Sequence, residues 1–87
     1  MQHELEALIT QRMESLEPLA FELINESDLH AGHAGSKGGA QHFAVRITSA
    51  KFDGINTMAR HRLVYACVSD LMPHPIHALR IETQGTV

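Results

Sequence analysis

Apolar residues recur at three- and four-residue spacing near the start of the chain. Leu5, Leu8, Ile9, Met13 and Leu16 form one stripe, with Glu4, Glu6, Arg12 and Glu14 on the other side. That period predicts an amphipathic helix over 3–16, stopped by Pro18. From Leu19 to Asn25 the pattern changes to alternation, Leu19, Phe21 and Leu23 facing one way and Glu22 the other, which predicts a half-buried strand. Alternation returns over 42–49, with Phe43, Val45 and Ile47 on one face and Ala44, Arg46 and Thr48 on the other. A turn at Phe52-Asp53-Gly54, with a short helical turn near Phe52, leads to a second helix capped by Asn56 or Thr57. Its expected buried stripe is Leu63, Val64, Cys67, Val68 and Leu71, and Pro73 and Pro75 end it. A last strand from Ile76 to Thr83 sets His77, Leu79 and Ile81 on one face and Ala78, Arg80 and Glu82 on the other.

Between the first two strands, residues 26–41 read ESDLHAGHAGSKGGAQ and hold four of the six glycines, which predicts a long, flexible loop joining a hairpin. The element order is therefore αββαβ, or αββααβ with the extra turn. So few elements pack as two layers, both helices on one face of a three-stranded sheet. The hairpin makes the first pair antiparallel. A strand after the second helix returns as a right-handed crossover, parallel to a strand already present, so the sheet is mixed and the class α+β.

Length predicts a single domain over 1–87 and leaves little room for a deep private active site. Charge is uneven. Residues 1–28 carry seven acids and one base, a net of −6, and the rest carry three acids and six bases, a net of +3. Such a pole can orient a docking partner, but a pI of 6.1 lacks the basic footprint of a dedicated nucleic-acid binder. No segment has a signal-peptide or membrane-spanning pattern, and Cys67, the single cysteine, cannot form an internal disulfide. A reducing cytoplasm or organelle matrix is the expected compartment.

Seven histidines are the unusual part of the composition. His30 and His33 form H-x-x-H in the glycine-rich loop, and His74 and His77 form another across Pro75. Four imidazoles suffice for a zinc site, although structural zinc sites usually recruit cysteine. Two imidazoles without four thiolates suit a metal cluster whose other ligands come from a partner. Catalysis has less support: Ser27 and Ser36 lack the strand-to-helix elbow of an activated serine, and Cys67 falls on a buried stripe. Gly32-His33-Ala34-Gly35 matches the G-x-x-G phosphate clamp but joins strands, not helices. The one basic concentration is Arg60-His61-Arg62, with Lys51 and Arg46 nearby in sequence. It suits phosphate binding or the covering of apolar surface by long stems.

Taken together, Leu16-Glu17-Pro18, Asn25-Glu26-Ser27, His42-Phe43, Phe52-Asp53-Gly54, Arg60-His61-Arg62-Leu63-Val64-Tyr65 and Ile76-His77-Ala78-Leu79 resemble the BolA family over nearly the whole chain. The loop resembles the branch in which histidine replaces a cysteine. The resemblance implies a fold similar to class II KH domains and no enzymatic activity. It also implies partnership with monothiol glutaredoxins in iron–sulfur cluster assembly and trafficking or iron-dependent regulation. A [2Fe–2S] cluster would then be shared with a glutaredoxin cysteine and a glutathione thiol, none being expected in the isolated chain. His77 matches one ligand of this chain. The other is His30, counting forward from Asn25-Glu26-Ser27, or His33, counting back from His42-Phe43; His30 is preferred. Some family members are described as DNA-binding transcriptional regulators, for which Lys51, Arg60 and Arg62 are the candidate contacts. The turn Gly54-Ile55-Asn56-Thr57 lacks the second glycine of a KH clamp.

Overall fold

The apolar stripe of the first segment closes into helix α1, Gln2–Met13, tightened into a 3-10 turn over Glu14–Leu16. Glu17 follows in the left-handed conformation with φ 49°, and its N–H caps the carbonyl of Glu14. The structure, a computed structural model, describes residues 2–26 and 41–87, with side chains from residue 4 onward. Strands β1, Ala20–Asn25, and β2, Gln41–Thr48, follow. After Thr48 the chain makes a 3-10 turn at Ala50–Phe52, begun by Ser49, whose hydroxyl accepts from the Lys51 N–H. Helix α2, Thr57–Val68, is capped by Asn56, whose side-chain oxygen accepts from the Ala59 N–H at 2.8 Å. A 3-10 turn at Ser69–Leu71 ends it, and β3 spans Ile76–Gln84.

The sheet order is β1-β2-β3. β1 pairs antiparallel with β2, and β3 pairs parallel with it, the mixed sheet expected from the hairpin and crossover. One face of the sheet supplies Phe43, Val45, Ile47, Ile76 and Leu79 to the core. Against them pack Ile9, Met13 and Leu16 of the first helical segment, Val64 and Val68 of α2, and Phe52. Buried Ser49 donates its hydroxyl to the Leu16 carbonyl, so the interior hydroxyl is satisfied and the two layers are tied together.

Two of the expected core positions differ. Leu63 is 38% exposed, because Val64 and Val68 point at the sheet and Leu63 lies one residue off that line. Leu19 is 72% exposed, since it precedes β1; Phe21 and Leu23 keep the alternation and are half-buried against the core. The opposite face of the sheet carries charges. Glu22, Arg46, Glu82, Arg80 and Glu26 form a chain of ion pairs with contacts of 2.7–3.4 Å. Ala44, in register with Ile24 and Arg80, is buried on that face.

Candidate functional site

The start of β3 departs from simple alternation. Ile76 is buried, His77 and Ala78 are both exposed, and Leu79 is buried again. The register shows why: Gln41 pairs with Ile76 and His42 with Ala78, so β3 advances two residues while β2 advances one. His77 is the extra residue of a bulge, a device that re-aims a side chain. The expectation that His77 lies beside the core on the face of Leu79 and Ile81 is therefore corrected. Burying isoleucine gains about 1.5–3 kcal/mol, whereas a buried imidazole needs a hydrogen-bond partner, so the strand slips to put Ile76 inside.

The bulge brings His77 next to His42, the second residue of β2. Their ring centroids are 5.1 Å apart with planes inclined by 58°. Around this pair the backbone is well held. The Glu26 N–H donates to the His42 carbonyl at 2.7 Å, and the Gln41 N–H to the Pro75 carbonyl at 2.9 Å. The Asn25 amide donates to Gln41 Oε1 at 3.0 Å. The Glu26 carboxylate accepts from Arg80 Nη2 at 2.7 Å, and this contact raises the Arg80 pKa above its ordinary value. Glu26 and Gln41 are thus fastened beside the two imidazoles. His30 and His33 lie outside the described residues. His74 is exposed, and Cys67 lies on α2 with its thiol against the Leu63 carbonyl at 3.4 Å.

The basic candidates differ in how far they are engaged within the chain. Arg60 donates from Nε to the Ile55 carbonyl at 3.0 Å. It also faces Asp53, whose pKa is lowered chiefly by hydrogen bonds from Thr86 and further by the Arg60 charge. Lys51 Nζ lies 3.8 Å from Glu17. Arg62 is exposed with its guanidinium against the Met58 sulfur. His42 and the Glu26–Arg80 pair drew no role from the sequence. A bulge between His42 and Ala78 has no mark in the hydrophobic pattern, and the only available signal was the apolar Ile76 directly before His77.

The family model described as BolA-like protein matches residues 13–86. This chain belongs to that family. BolA-like protein 1 of Bos taurus is 41% identical over 78 residues, covering 90% of this chain and 56% of the relative. The DNA-binding transcriptional regulator BolA of Vibrio cholerae is 40% identical over 73 residues, covering 84% of this chain and 66% of the relative. The chain spans little more than half the length of the BolA-like protein 1 relatives it matches. Among solved structures, the BolA domain of SufE1 from Arabidopsis thaliana superposes with a TM-score of 0.77 at 35% identity. The superposition covers 90% of this chain and 87% of that one. Among the described residues no helix is long and apolar enough to cross a membrane.

Proposed function

We propose that this BolA-family chain is a non-enzymatic adaptor that docks on a monothiol glutaredoxin. In that complex it supplies His77, together with His30 or His33, to a shared [2Fe–2S] cluster. The observation that carries the reading is the bulge at the start of β3. It holds an exposed imidazole at the sheet end that also carries Glu26 and Gln41, the residues that flank the two loop histidines in sequence. The donor chemistry fits: imidazole is an accepted iron ligand, and two imidazoles leave the remaining positions for a glutaredoxin thiolate and glutathione. When bound, the cluster supplies one-electron chemistry at a potential raised by imidazole in place of thiolate. The chain's own part is to hold His77 outward and to fix Glu26 and Gln41 beside it. A reducing compartment, cytoplasm or organelle matrix, suits thiol-ligated cargo, and a chloroplastic/mitochondrial SufE-like relative is consistent with the organelle.

Mixing the chain with a monothiol glutaredoxin, iron, sulfide and glutathione tests this. The expected product is a heterodimer whose visible absorption and circular dichroism differ from those of the glutaredoxin homodimer. His77→Ala erases the difference; a variant spectrum equal to wild type rejects the ligand assignment.

A second reading, DNA binding, is favoured by the name of the Vibrio cholerae relative. With Arg60 bonded to the Ile55 carbonyl, it rests mainly on exposed Arg62 and Lys51, whose pair with Glu17 is solvent-exposed. Gel-shift titration at two salt concentrations with Arg62→Ala separates the readings. A DNA regulator loses affinity steeply with salt and with the substitution, whereas a cluster adaptor has little affinity at either salt.

A further inference from the structure

The end of β3 and the residues after it are strapped to the segment between β2 and α2. The Ser49 N–H donates to the Gln84 carbonyl at 3.1 Å. The Thr86 N–H donates to Asp53 Oδ1 at 2.6 Å and the Thr86 hydroxyl donates to Asp53 Oδ2, so both carboxylate oxygens are held. Gly85 lies where this strap crosses. A Cβ at that position would meet Asp53 Oδ1 at 2.5 Å and Arg60 Nη2 at 3.3 Å, so no side chain fits there without displacing the carboxylate. Two atoms that near to one point are within about 6 Å of each other, a range over which opposite charges act directly. Arg60 is fixed in turn by its Nε bond to the Ile55 carbonyl at 3.0 Å. Hydrogen bonds from Thr86, and further the Arg60 charge, hold the Asp53 pKa below the ordinary 3.8, so this carboxylate is ionised at neutral pH.

We propose that Asp53, locked in place by Thr86, is a built-in counter-ion that withholds Arg60 from phosphate. A phosphate reaching Arg60 meets a fixed negative charge beside it, so Arg60 adds little to binding while that charge stays. The contact is autoinhibitory. It rests on the DNA reading, in which Arg62 and Lys51 are the remaining cations, and its ligand is the phosphate backbone of duplex DNA rather than the base edges.

Gel-shift titration of the full chain with duplex DNA over a series of salt concentrations tests the proposal, using Asp53→Asn, Arg60→Gln and the double variant. Asparagine has the shape of aspartate and its carbonyl still accepts the Thr86 N–H, so Asp53→Asn removes the charge and keeps the strap. It is expected to raise affinity several-fold and to steepen the slope of log affinity against log salt by about 0.9, the signature of one added phosphate contact. Arg60→Gln is expected to change wild-type affinity little and to abolish the whole gain of Asp53→Asn. Equal losses from Arg60→Gln with and without Asp53→Asn overturn the proposal, because the two charges then act independently. Unchanged affinity and slope in Asp53→Asn overturn it as well. The DNA reading is judged separately. Wild-type binding that falls in Arg62→Ala, with independent effects at Asp53 and Arg60, removes the counter-ion and leaves that reading standing, whereas absence of binding in the wild type and in every variant removes both.

Discussion

At the scale of single residues, the three positions Ile76, His77 and Ala78 divide stability from chemistry. Ile76 is wholly buried, so Ile76→Ala removes packed methyl and methylene groups and should cost about 2–5 kcal/mol, read from the urea midpoint. His77 is exposed, and His77→Ala should leave the same midpoint within about 0.5 kcal/mol. A large loss for His77→Ala would mean that the imidazole is a structural group after all. Asn56 is a third residue with a defined share. Its side chain caps α2, and Asn56→Ala should cost about 1 kcal/mol, read in the same denaturation experiment.

At the scale of elements, the two helices are joined by a salt bridge as well as by the core. Arg12 near the end of α1 donates to both carboxylate oxygens of Asp70, at 2.7 and 3.0 Å, and to the Cys67 carbonyl at 2.9 Å. The Arg12 hydrogen bonds hold the Asp70 pKa below the ordinary 3.8. A carboxylate with a lowered folded-state pKa stabilises the fold above its unfolded value, and that contribution is lost as pH falls through the folded one. Stability should therefore drop as the chain is acidified from about pH 5 to about pH 2, and Asp70→Asn should flatten part of that decline. An unchanged pH profile in Asp70→Asn would show that the bridge is solvent-screened to nothing. The elements themselves were legible in the sequence to within a residue or two, because each amphipathic period is long enough to identify: Ile9, Met13 and Leu16 in the first helix, Phe43, Val45 and Ile47 in the central strand. The exposed Leu63 was not legible, since helical spacing alone does not say which edge of an apolar stripe meets the sheet. Nor was the outward turn of His77, because a bulge is a compromise between neighbouring strands and leaves no period of its own.

At the scale of the whole molecule, part of the uneven charge of the chain is paired internally. Glu17, Glu22 and Glu26 from the acidic first part pair with Lys51, Arg46 and Arg80 from the basic remainder. Those pairs offset part of the expected docking pole, and the proposed docking feature is the sheet end with His77. The family relationship accounts for the fold, while the proposed function rests on the exposed His77 at that sheet end. The most direct measurement is pulsed electron paramagnetic resonance of the reduced mixed complex, with histidine nitrogens of this chain alone labelled with nitrogen-15. Two strongly coupled imidazole nitrogens are predicted, falling to one in His77→Ala. A cluster spectrum with no coupling to any histidine of this chain would contradict the account.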